Sequence, residues 1–235
     1  MKKLAAWSVH LFTASGLLAG FMGLLAAVEG DYREAMFWLL ATLVIDGIDG
    51  TFARMANVGE VLPQVSGKTI DYVIDFFTYA ILPAYLFWVA IDMPDTPRLI
   101  GSFLMLMSAA IYYGLEGMVS EDGKHFVGFP VMWNMVVYVY IFVLPEMVWT
   151  VLLGLNIFFA IIHFVPILFP YPSRGGRWWM VTLFATVAFI LSAVVNVWYY
   201  PEPVWWARWA TILAVGYYGL ISALDTFAAR KPDNT

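Results

Sequence analysis

Four aspartates stand out in a chain that is otherwise poor in charge: Asp46 and Asp49, then Asp71 and Asp75. On helices, the first pair is spaced i, i+3 and the second i, i+4. Each pair then shares one helix face across about one 5.4 Å turn. The flanking residues are apolar enough for both segments to lie in a membrane, where an aspartate at a helix centre costs about 2.5–3.5 kcal/mol. These four fall nearer the inner ends of their segments, where each costs less, but gathering like charges is still unfavourable. Arg54 is the cation at hand and cannot balance all four. A divalent ion can. Hard carboxylate oxygens, with no cysteine in the chain and no histidine close by, favour Mg2+ or Mn2+ over Zn2+. A lone intramembrane aspartate is often a structural hydrogen-bonding group, whereas two matched pairs on adjoining helices predict a metal site.

The neighbours refine this expectation. Gly50 and Ala53 are small residues on the turn after Asp49, where either a ligand or a second helix can come close. Gly47 is open to the same two readings, and Gly67 begins the next helical segment, where a tight turn also favours glycine. Arg54 lies one turn past Asp49. Its guanidinium suits a phosphate, and it serves equally as an anchor at the inner membrane face.

The elements that position these groups are membrane helices. Of 235 residues, 62% are hydrophobic and only 12% charged, about half the usual charged share. A hydrocarbon core about 30 Å thick takes roughly 20 apolar residues per helix. The chain offers such stretches at 4–28, 34–53, 68–90, 98–119, 127–144, 147–169, 178–199 and 204–228. Polar or proline-bearing breaks separate most of them, at 29–31, 92–97, 120–125, 145–146, 170–177 and 201–203. The expected fold is all-α, a polytopic transmembrane bundle of about eight helices forming one integral membrane domain over 1–235. The first apolar run is too long for a signal peptide and reads as a retained helix. With the N-terminus inside, Lys2, Lys3, Arg54, Lys68, Lys124, Arg174, Arg177, Arg230 and Lys231 fall on the inner side, against Arg33, Arg98 and Arg208 outside. This bias places both termini in the cytoplasm. Trp178, Trp179, Tyr199, Tyr200, Trp205 and Trp206 sit at predicted helix ends, as an interfacial belt. A net charge of −5 argues against a nucleic-acid partner.

The segments Asp46-Gly47-Ile48-Asp49-Gly50-Thr51-Phe52-Ala53-Arg54 and Gly67-Lys68-Thr69-Ile70-Asp71-Tyr72-Val73-Ile74-Asp75 read D-x-x-D-G-x-x-A-R and G-x-x-x-D-x-x-x-D. Together they resemble the signature of the CDP-alcohol phosphatidyltransferase family, with eight fixed positions. The usual gap between its two halves is eight residues. Here it is twelve, 55–66, which is similar to the bacterial phosphatidylcholine synthase branch. The segments 61–67 and 126–134 also resemble that branch. The strong motif covers 46–75, and the eight-span layout extends the likeness over nearly the whole chain.

The resemblance implies condensation of CDP-diacylglycerol with choline to give phosphatidylcholine and CMP, in the bacterial inner membrane with the site facing the cytoplasm. It implies Mg2+ or Mn2+, as two ions, on Asp46, Asp49, Asp71 and Asp75, with Asp75 also the base. It assigns the CDP moiety to Asp46, Gly50, Ala53, Arg54 and Gly67. Membrane lipid is the surrounding partner, and a homodimer is common among relatives. Choline is a quaternary ammonium that aromatic faces bind. The candidates for its pocket are Tyr79, Tyr112, Tyr113, Glu116, Phe129, Trp133 and Asn134, most of which could simply be packing. Arg174 and Arg177 are candidates for a phosphate or for topology anchoring. His10, His125 and His163 read as structural. Rival readings are a serine, glycerol phosphate or inositol phosphate acceptor, an intramembrane prenyltransferase, and a divalent-metal transporter. Phosphorylated acceptors would call for more basic residues at the inner face than the chain supplies.

Overall fold

The computed structural model describes residues 1–172, 178–202 and 204–229. Among these, helices run over Lys2–Val28 (α1), Tyr32–Met55 (α2), Val58–Val61 (α3), Gly67–Ala90 (α4), Asp95–Tyr113 (α5), Trp133–Val143 (α6), Trp149–Ile162 (α7), Trp179–Trp198 (α8) and Trp205–Ala229 (α9). Five of them, α1, α2, α4, α8 and α9, are long and apolar enough to cross a membrane. Their outer faces carry large apolar side chains such as Leu18, Phe184, Leu213 and Phe227, as a lipid-facing surface requires. This is a helical membrane bundle, as expected. Arg174, Arg177, Arg230, Lys231 and Pro203 lie outside the described residues.

Small residues on α1 set the geometry of the N-terminal half. Gly16, Gly20 and Gly23 recur about one turn apart and face α4 and α2. A Cβ at Gly16 would meet Ile74 at 3.2 Å, and one at Gly20 would meet Thr78 at 2.9 Å. At Gly23 it would meet Leu82 at 3.1 Å and the Ala35 carbonyl oxygen at 3.3 Å. Close approach through glycine is a common device for packing membrane helices, whose partners in lipid gain little from hydrophobic burial. Here it draws α2 and α4 onto one face of α1.

The long link between α2 and α4 is ordered. Asn57 takes a left-handed conformation at φ 47° and ends the run of α2. The single turn α3 follows, and Val58 and Leu62 bury themselves against Ala6 of α1. Ser66 then caps α4, its Oγ accepting from the Thr69 N–H at 3.2 Å. Within α4 the backbone widens to a π-helical turn at Phe76–Ile81, where the Leu82 N–H reaches back to the Phe77 carbonyl.

Three expected spans are shortened. Helix α5 stops at Tyr113 instead of reaching 119, because Gly114 ends it and Gly117 turns the chain at φ 81°. The fifth span begins at Trp133, not 127, and the sixth ends at Ile162, not 169. Their missing ends form an antiparallel ribbon, His125–Val127 (β1) against Leu168–Pro170 (β2). Short apolar runs look alike in helix and strand, so hydropathy could not separate them. Gly128 makes the turn out of β1 at φ 83°, and a Cβ there would lie 2.0 Å from the His163 carbonyl oxygen. The ribbon is tied to α9 by Thr226, whose Oγ1 accepts from the Leu168 N–H at 2.8 Å.

A buried polar network holds the C-terminal half. Tyr138 of α6 bonds Thr211 of α9 at 3.0 Å and accepts from Asn196 of α8 at 2.9 Å, while Ser192 reaches Thr211 at 2.9 Å. Tyr140 donates to Asn156 of α7 at 3.0 Å. Polar contacts of this kind hold membrane helices together at roughly 0.6–2 kcal/mol each.

Replacing Gly20 with valine must push α1 away from α4. Thermal unfolding in detergent should show a loss of about 1–3 kcal/mol, and an unchanged transition would refute this account of the packing.

Candidate active site

The four aspartates face one another across α2 and α4. One carboxylate oxygen from each of Asp46, Asp49 and Asp71 lies within 4.8 Å of the others. Asp75, one turn deeper on α4, is not in that tight trio but stands within electrostatic reach of all three. Among the described residues none of the four forms an ion pair. Two like charges 4 Å apart repel by about 4 kcal/mol at an effective dielectric of 20, so this grouping calls for a cation. The donor set is all hard oxygen, which fits a metal of the magnesium or manganese type better than zinc.

Three of the four carboxylates have a neutral polar side chain beside them. The Tyr79 hydroxyl donates to Asp46 Oδ2 at 2.8 Å. Thr13 of α1 lies beside Asp49, which is buried. The side chain of Tyr113, the last residue of α5, lies beside Asp75. Such partners fix the orientation of ligand oxygens before a metal arrives. Tyr79 reaches Asp46 from within the π-helical turn of α4.

Gly47 and Gly50 of α2 are not used for helix packing, whereas Ala53 packs against the cluster of Ala6, Val58 and Leu62. A Cβ at Gly47 would have nothing within 4 Å, and one at Gly50 would touch only the Arg54 guanidinium at 3.5 Å. Ala53 is partly exposed beside them. The exposed Arg54 side chain donates to Thr51 Oγ1 at 3.0 Å. An open strip of backbone with a guanidinium folded over it is suited to a phosphate-bearing ligand. Gly67 is different, because a Cβ there would meet the buried His10 ring at 3.4 Å, so this glycine also seats the start of α4 against α1. Beside the acids, an apolar groove of about 430 Å³ runs between α1 and α4, lined by Leu17, Thr69, Tyr72, Val73, Phe76, Phe77 and Ile81.

The aromatic candidates are not brought together as an open cage. Tyr79 is buried and committed to Asp46. Tyr112, Phe129 and Trp133 do converge, but on the His163 ring, at centroid distances of 5.4, 5.4 and 5.5 Å. Their shared space is filled, and Tyr112 spends its hydroxyl on the Val127 carbonyl at 3.0 Å. Asn134 is buried and turns its side chain onto the Met135 N–H. Glu116 is exposed in the turn after α5 rather than inside a span, so it needs no partner to be tolerated there. Sequence reasoning missed Thr13, one of three hydroxyl residues in α1 with Ser8 and Ser15, and Tyr72, which lies between Asp71 and Asp75 in the chain.

Among proteins of known function, the chain is 37% identical to the phosphatidylcholine synthase of Brucella melitensis over 203 residues, 86% of this chain and 72% of that one. It is 38% identical to that of Rhizobium meliloti over 176 residues, covering 74% and 71%. With that of Pseudomonas aeruginosa it shares 34% over 193 residues, covering 82% and 80%. The chain belongs to the phosphatidylcholine synthase family. No protein-family model matches it. Membership of this family joins the acid cluster to a lipid-transferring enzyme and leaves the prenyltransferase and transporter readings without support.

Titration of the purified protein with Mn2+ should show binding that Asp71→Asn weakens by at least about tenfold, roughly 1.4 kcal/mol. Tyr79→Phe should weaken it by about 10-fold or less through loss of an orienting hydrogen bond. Equal affinity in all three proteins would mean that the trio is not a metal site.

Proposed function

We propose that this chain condenses CDP-diacylglycerol with choline, releasing phosphatidylcholine and CMP, and that Asp46, Asp49 and Asp71 hold the divalent metal for this reaction. The supporting observation is the convergence of three carboxylates within 4.8 Å beside a fourth in a chain of this family. Mg2+ or Mn2+, as two ions with Asp75 contributing to the second, is the proposed complement. When bound, the metal neutralises diphosphate charge and stabilises the departing nucleotide.

The chain's own residues carry the remaining steps. Asp75 accepts the proton of the choline hydroxyl, with the Tyr113 side chain beside it. The choline oxygen attacks the phosphorus that carries diacylglycerol. A new O–P bond forms, the bond from that phosphorus to the CMP oxygen breaks, and CMP departs with the electron pair. Positioning supplies most of the acceleration in such transfers. Arg54 and the open backbone at Gly50 and Ala53 hold the CDP phosphates, with Gly67 on the facing helix. An acyl chain of the substrate lies along the apolar groove between α1 and α4, whose lining from Thr69 to Ile81 spans about 18 Å of helix. The excess of basic residues on one side orients the site toward the cytoplasm, and the membrane is the bacterial inner membrane.

A panel of acceptors with labelled CDP-diacylglycerol tests the reading. CMP should appear with choline and not with serine, glycerol 3-phosphate or inositol phosphate, and only when Mg2+ or Mn2+ is supplied. Release with another acceptor alone would reassign the substrate. Asp75→Asn should lower kcat by at least about 100-fold while leaving nucleotide-lipid binding in place, and near-normal turnover would remove Asp75 as the base.

A further inference from the structure

The acceptor proposed above has two handles: a hydroxyl that must meet Asp75 and a quaternary ammonium only a two-carbon link away. That ammonium offers no hydrogen bond, and aromatic faces bind it through their negative quadrupole. The site must therefore present an aromatic face about one helical turn from Asp75. Tyr79 does not qualify, being buried with its phenol on Asp46. Tyr112, Phe129 and Trp133 enclose His163 instead.

Two rings remain. Tyr72 lies three residues before Asp75, so the two side chains share a face of α4. Its ring packs 5.3 Å from that of Tyr113, tilted by 47°. Tyr113 in turn lies beside Asp75 and is braced edge-on by Phe76 at 6.4 Å. The Tyr72 ring already carries a cation, since the Lys68 Nζ stands 5.2 Å from its centroid. Lys68 is exposed, and its long flexible stem lets the ammonium swing into solvent at little cost.

We propose that Tyr72, backed by Tyr113, is the ammonium subsite for the acceptor, and that choline takes the face of Tyr72 now covered by Lys68. The inference rests on the choline reading of the acceptor. It gives the two tyrosines different duties. Tyr72 contributes its ring, so phenylalanine should replace it well. Tyr113 contributes its hydroxyl to Asp75, so Tyr113→Phe should lower kcat more than it alters the KM for choline.

The test uses the full chain in detergent or nanodiscs, with tetramethylammonium as a competitor that has the cation and lacks the hydroxyl. Tyr72→Leu should raise the choline KM and the tetramethylammonium inhibition constant together by about tenfold, or about 1.4 kcal/mol. The affinity for Mn2+ should stay within about twofold of wild type. Lys68→Met should lower the choline KM and the inhibition constant. If Tyr72→Leu does not fold, phenylalanines of increasing ring fluorination at position 72 keep the shape and weaken the quadrupole, and the choline KM should climb with each fluorine. Choline and tetramethylammonium constants unchanged across these variants would overturn the subsite. Absence of choline-dependent CMP release from the unaltered protein would instead overturn the proposed function, so the two failures are distinct.

Discussion

Carboxylates that repel one another are held together inside a membrane by helix packing, and the architecture of the N-terminal half follows from that constraint. Three of them converge within 4.8 Å, a spacing that α2 and α4 cannot hold by themselves without a cation. The glycines of α1 provide the mechanical side of the answer. By letting α4 and α2 approach its backbone at Gly16, Gly20 and Gly23, α1 acts as a common wall against which both acidic helices are fixed. The repulsion is then borne by many close van der Waals contacts, each small and collectively large.

The neutral polar side chains complete this arrangement. Thr13, Tyr79 and Tyr113 come from α1, α4 and α5, and each lies beside a different aspartate. None adds a positive charge, so the negative field of the site is left intact for a cation to use. The C-terminal half is organised otherwise. It is tied by the Tyr138, Ser192, Asn196 and Thr211 network and by the ribbon against α9, so that α5 connects a chemical half to a structural half.

Much of the site was legible in the sequence because its signal is energetic. Aspartates are costly in apolar segments, and their i, i+3 and i, i+4 spacing fixes their faces before any tertiary contact is known. The helical character of the apolar stretches was legible for a similar reason, although only five of the described helices are long and apolar enough to cross a membrane. What stayed hidden depends on tertiary geometry. Nothing local shows that Tyr112, Phe129 and Trp133 close around a histidine thirty or more residues further along the chain, or that 125–127 and 168–170 pair as strands. The gap at 55–66 could be counted but not interpreted. Only in the fold do Val58 and Leu62 find Ala6 and turn a loop into a fixed spacer.

The π-helical turn at Phe76–Ile81 divides α4 into two rotational phases. Pro83 has no N–H to give the Tyr79 carbonyl, so the usual ladder is already broken at that level, and widening the backbone there forfeits little further bonding. The angular offset decouples the ends of one continuous rod. The end beyond the turn is keyed to the central core through Leu82, Leu86 and Phe87, while the acids and Tyr72 stand on the other side of the offset. Substitutions on the acidic side of the offset therefore leave the core contacts of Leu82, Leu86 and Phe87 in place.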